Sequence, residues 1–122
     1  MAREADPALR GAFFRTSGLV AARLGDPRAA IDHLLIALEI RPLDHQALDE
    51  LAALARSHPH AHDFAATLAN LERVYRQRDD GAPLLARTLA ARAGHQELLG
   101  DVETAELLYQ EAQALELDSS AI

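Results

Sequence analysis

Three histidines and a carboxylate fall within six residues: His58-Pro59-His60-Ala61-His62-Asp63. Imidazoles at alternate positions beside an aspartate are a donor set that could reach one divalent cation. A tight metal site, however, fixes each ligand through a second hydrogen-bonded partner. Pro59 makes this stretch an open turn, so it reads as a polar loop and no metal is expected. Ser57 adjoins His58, but a nucleophile and its base must be assembled in space around an oxyanion hole, which adjacency alone does not provide. Asp79-Asp80-Gly81 is turn chemistry. The chain has no His-Glu-x-x-His, no Glu-x-x-His, no glycine-rich phosphate loop and no cysteine. No catalytic residue and no cofactor are expected, so the chain is not read as an enzyme.

The elements that carry these residues follow from composition. In 122 residues, 49% are apolar and 25% charged, which suits a packed core rather than disorder. The apolar share is mostly Ala and Leu, with five aromatics (three Phe, two Tyr). That is a helix-former's alphabet. A net charge of −7 disfavours nucleic acid and anionic membrane, where neutralising phosphates supplies much of the affinity. All 12 basic side chains are Arg, the better fork for carboxylates. No run is apolar enough for a membrane span, and Met1–Pro7, which lacks an apolar core, is not expected to act as a signal peptide. A cytoplasmic location is expected.

Start and stop signals divide the chain into six helices and no strand. Asp6-Pro7 opens the first, with Phe14, Gly18, Ala21 and Leu24 on one stripe, and Gly25 closes it. Asp26-Pro27 opens the second, ending before Pro42 with Ala30, Leu34, Ala37 and Leu38 inward. Asp44 caps the third, with Leu48, Leu51, Ala52 and Ala55 on one face. The fourth follows the histidine turn with Phe64, Leu68, Leu71 and Tyr75 spaced four, three and four. The fifth runs from about Pro83 to Leu99, with Leu85, Leu89, Ala93 and Gln96 aligned. Gly100-Asp101 turns into the sixth, which fades at Asp118. Helices this short are marginal alone and must bury their stripes on neighbours.

"LGDPRAAIDHLLIALEIRP" (24–42) and "LGDVETAELLYQEAQALEL" (99–117) share Leu-Gly-Asp, Ala four residues after the Asp, and Ala again seven residues on. Small residues pair across each turn: Gly18 with Ala30, Ala93 with Ala105. With a large apolar residue before the second Ala and a terminal Pro in the first copy, this pattern resembles the tetratricopeptide repeat. The first hairpin matches at Phe14, Gly18, Gly25, Asp26, Ala30, Leu34, Ala37 and Pro42. The third matches at Leu89, Ala93, Gly100, Asp101, Ala105, Tyr109 and Ala112, without the closing Pro. The middle one departs, with "SHPHAHD" in place of Gly-Asp. The two Gly-Asp turns lie 75 positions apart (25 to 100), against roughly 68 for two standard repeats.

The resemblance implies an all-α, right-handed superhelical stack of three antiparallel hairpins, about 7–42, 44–78 and 82–118, in a single domain over 1–122. It further implies a non-catalytic interaction module whose first helices line a concave groove for a peptide or protein partner. Arg15, Arg23, Arg56 and Arg87 are then expected to face that groove near Gln46 and Asp49, suited to the carboxylates of an acidic segment. The Lys and Asn that family members use to hold a chaperone's C-terminal carboxylate are missing: there is no Lys, and one Asn, Asn70.

A second reading comes from the ends. Repeat arrays need polar caps, yet Leu107, Leu117 and Ile122 look under-covered and Phe13 has no earlier hairpin to pack on. The chain is then a structural, self-assembling unit or part of a longer array, forming a homodimer or end-to-end contact through Leu107 and Leu117. Charge divides the same way. The first helix carries Arg10, Arg15 and Arg23 with no acid, and the sixth carries Glu103, Glu106, Glu111 and Glu116 with no base.

Overall fold

The structure, a computed structural model, describes residues 6–120, with side chains described through Glu116. Among the described residues there are six helices and no strand: α1 Pro7–Arg23, α2 Pro27–Ile40, α3 His45–Ser57, α4 Phe64–Arg76, α5 Ala82–Leu98 and α6 Val102–Ser120. The chain is all-α. It divides into two compact units, Met1–Leu54 and Ala55–Ile122, with the boundary inside α3.

In the first unit α1 packs on α2. The Asp6 carboxylate accepts from Ala8 N at 2.9 Å, and Pro7 occupies the first turn, where a missing N–H costs nothing. Gly25, at φ 79°, ends the helix. Asp26 N donates to Ala21 O (2.9 Å) and Gly25 N to Ala22 O (3.1 Å), the paired bonds of a Schellman turn. The Asp26 side chain then accepts from Ala29 N at 3.1 Å, so one Asp closes α1 and caps α2. Gly18 sets the helix separation. A Cβ there would lie 2.8 Å from Leu34 Cγ and 3.2 Å from Ala30 O. Ala30, Ile31, Leu34, Ala37 and Leu38 are accordingly buried.

Leu24 departs from expectation, being 79% exposed rather than inward. Each three-residue step turns a helix by 300°, so a stripe continued in threes drifts about 60° per step. By Leu24 it has left the α2 side. At the far end of this unit Asp44 caps α3 through Ala47 N (3.1 Å). Ala47, Leu48, Leu51 and Leu54 of α3 are buried, while Ala52 is half-exposed and drops out of the expected stripe.

In the second unit α5 packs on both α4 and α6. This explains its apolarity on several sides: Leu84, Leu85, Thr88, Leu89, Ala91 and Ala93 are all buried. The Thr88 hydroxyl is satisfied within the helix, donating to Leu84 O at 2.7 Å. Phe64, Leu68, Leu71 and Tyr75 form the buried stripe of α4. The α5–α6 turn repeats the first in detail. Gly100 has φ 88°, Asp101 N donates to Gln96 O (2.9 Å) and Gly100 N to Glu97 O (3.0 Å). The Asp101 carboxylate caps Thr104 N at 3.2 Å. Ala105, Leu108 and Ala112 are buried, whereas Leu115 is half-exposed.

Candidate interaction surfaces

The histidine run does not converge. His58 Nδ1 lies 2.9 Å from Ser57 Oγ, and His62 Nε2 lies 2.6 Å from Thr67 Oγ1. The His62 ring packs edge-on against Phe64, 5.3 Å between centroids. Asp63 spends its carboxylate on Ala66 N (3.1 Å), capping α4. Among the described residues no three His, Cys, Asp or Glu side chains are grouped to hold a metal. These side chains begin and fix a helix.

The six residues expected in a groove separate by role. Gln46 and Asp49 are exposed on α3 in the first unit, three positions apart, and Arg56 is exposed in the second unit. Arg23 is exposed at the end of α1 and Arg87 is exposed on α5. Arg15 differs. Its Nη1 donates to Asp44 Oδ2 at 2.9 Å, and the Asp44 side chain is only 3% exposed. The carboxylate that caps α3 is therefore also an ion-pair partner, and the Arg15 charge is spent inside the fold.

Other charges form a ladder in the second unit. Arg92 Nη1 donates to Glu72 at 2.7 Å, Glu72 also accepts from Arg76 at 2.9 Å, and Arg76 reaches Glu111. The bonds from Glu111 first, then Glu72, hold the Arg76 guanidinium above its ordinary range. In the loop before α5, Arg78 bonds Asp80 at 2.9 Å and lowers that carboxyl. Such pairs order helices and loops already near each other.

Among the described residues, large apolar side chains stay in solvent on α1, on α6 and at Leu98 and Leu99 before α6. On α1, Leu9, Phe13, Val20 and Leu24 are all about half-exposed or more. Spaced four, seven and four apart, they fall within an arc of about 60° on the side opposite Gly11 and Gly18. The expectation singled out Phe13 alone. The remaining three were legible in the spacing, which the inward stripe on the same helix obscured. On α6, Val102, Leu107 and Tyr109 are exposed. Tyr109 donates its phenol proton to Glu97, which raises its pKa, with burial adding to the effect. Leu117, the other expected contact, lies outside the described side chains.

One buried group had no signal in the sequence. His95, 4% exposed on α5, has neither ring nitrogen hydrogen-bonded among the described residues. Its ring sits edge-on to Phe64, 5.8 Å between centroids.

No family model matches the chain, and no curated protein or solved structure matches it. None of the described helices is long and apolar enough to cross a membrane.

Proposed function

We propose that this chain is a non-catalytic protein-interaction module of tetratricopeptide type, built from stacked helical hairpins. One observation carries the reading. The Gly25-Asp26 and Gly100-Asp101 turns use the same left-handed glycine, the same two backbone bonds and the same aspartate cap. The chain thus uses one hairpin device twice, 75 positions apart (25 to 100). Repeated hairpins present helix faces to partners, and the residues assigned here are exposed Gln46 and Asp49 in the first unit and, independently, exposed Arg56 in the second. An exposed guanidinium such as that of Arg56 suits the acidic side chains of a polar peptide segment. Arg15 is withdrawn from the binding set by Asp44.

Affinity capture from the source lysate, comparing the intact chain with Arg56→Glu at low and high salt, tests the proposal. A captured protein that is weakened by salt and by Arg56→Glu supports it, because exposed charge pairs are screened at high ionic strength. Binding indifferent to both removes Arg56 from the binding set.

A further inference from the structure

The exposed faces of α1 and α6 differ in charge as consistently as they agree in being apolar. On α1, Leu9, Phe13, Val20 and Leu24 are 68%, 64%, 49% and 79% exposed. Arg10 and Arg23 lie about 40° beyond the two edges of that stripe, and no acid lies between Pro7 and Arg23. At its centre Thr16, Ser17 and Ala21 are smaller than the residues on either side, leaving a hollow of about 330 Å³ flanked by Phe13 and Leu24. On α6, Val102 and Tyr109 rim a second hollow of about 430 Å³, floored by Ala105. Glu97, Glu106 and Gln113 line that hollow and Glu103 stands just beyond it; no base occurs on α6 from Val102 to Ser120, and the one cation acting on the Tyr109 rim among the described residues is Arg56 of α3. The Tyr109 ring is held at the rim by its bond to Glu97.

We propose that these two faces are the halves of one self-association contact, in which α1 of one copy docks on α6 of a second copy. Charge decides the pairing. An α1–α1 contact would bring Arg10 and Arg23 of both copies together with no acid on either helix. An α6–α6 contact would crowd Glu103 and Glu106 likewise. Only α1 against α6 brings apolar stripe to apolar hollow with opposite charges at the edges. Shape agrees, since the large Phe13 side chain faces a hollow floored by Ala105, and the Tyr109 rim faces one floored by Thr16 and Ser17. The contact is heterologous, with different surfaces on the two copies, so each copy keeps one unused half for another neighbour. Leu107 takes no part, because it lies about 140° around α6 from Val102.

Sedimentation equilibrium of the full chain over a concentration series, with two charge-reversed variants, tests this. Arg10→Glu/Arg23→Glu makes both faces acidic, and Glu103→Arg/Glu106→Arg makes both basic. Each variant alone should associate at least about tenfold more weakly than the native chain, and an equimolar mixture should recover association. Phe13→Glu, at an exposed position, should abolish association while circular dichroism shows the native helix content. A native chain that stays monomeric throughout the series overturns the proposal. Association retained by the acidic variant alone would mean α6–α6 pairing, and by the basic variant alone α1–α1 pairing; either overturns it as well.

Discussion

Arg15 and Asp44 meet at 2.9 Å although 29 positions separate them in the chain, and Asp44 at the same time caps α3 through Ala47 N. The aspartate is buried and the arginine partly exposed. Arg15→Met should therefore leave a buried carboxylate with its cap bond but no charge partner. The expected loss is about 1–3 kcal/mol, below that of a fully buried pair because water still reaches the guanidinium. Asp44→Ala removes cap and pair together and should cost more. Urea denaturation of the two single variants and the double variant measures the coupling. Additive losses would mean that the pair is not formed in solution.

The α1–α2 crossing has no spare room at Gly18. Gly18→Ala should destabilise by about 1–3 kcal/mol, since Leu34 and the Ala30 carbonyl must both give way. Ala30→Glu puts a carboxylate at a position with 0% exposure and should cost more again. Thermal melts followed by circular dichroism would show both. An unchanged melting temperature in Ala30→Glu is incompatible with this crossing.

Gly25 and Gly100 test a different cost, because a Cβ at either would meet nothing within 4 Å. Only their positive φ resists substitution. Alanine at each should cost about 1 kcal/mol, and the two losses should add to within about 0.5 kcal/mol because the turns lie in separate units. Chemical denaturation of the single and double variants measures the sum. A near-zero loss at both positions would show that the left-handed turns are not maintained.

Tyr109 should titrate above an ordinary phenol. The Glu97 carboxylate accepts its proton and opposes the phenolate, and partial burial acts in the same direction. The folded state then holds this proton more tightly than the unfolded chain. The resulting stabilisation is complete below the ordinary value of 10.0 and is lost as pH rises through the higher folded value. Absorbance titration of the tyrosinate band, with Tyr109→Phe to subtract Tyr75, reads it directly. Glu97→Gln should bring Tyr109 back toward the ordinary value. Native Tyr109 titrating at or below that value would exclude the bond.

Among the described residues neither buried ring nitrogen of His95 has a hydrogen-bond partner. Replacing an unsatisfied polar side chain by an apolar one of similar size is neutral or stabilising. His95→Leu should thus raise stability by up to about 1 kcal/mol, or roughly 3–6 °C in melting temperature. His95→Ala opens a cavity instead and should lower it. If His95→Leu falls as far as His95→Ala, the imidazole makes a bond in solution that the leucine cannot replace.

Much of the local structure was legible because its causes are local. Asp6-Pro7, Asp26-Pro27 and Asp44 sit at helix starts where capping chemistry puts them, and the observed boundaries fall within a residue or two of those expected for most helices. Gly25 and Gly100 ended helices because only glycine enters the left-handed region without strain. The four-three-four spacing of Phe64, Leu68, Leu71 and Tyr75 specified a buried face directly. These features depend on neighbours within about a turn of helix, so a linear chain displays them.

Long-range partners were not legible. Arg15 was expected to face a binding partner, but its charge is taken by Asp44, chosen by the packing of the first unit. Leu24 was expected inside and lies outside, because periodicity gives the angle between residues but not which arc the neighbouring helix covers. His95 is enclosed on α5, which packs on both α4 and α6. The sequence by itself determined where helices begin, turn and end, since those depend on caps, glycines and spacing. Only the tertiary structure decided which charges are consumed, which imidazole is enclosed and which apolar stripe stays in water. Those outcomes depend on residues distant in sequence being brought within a few ångströms.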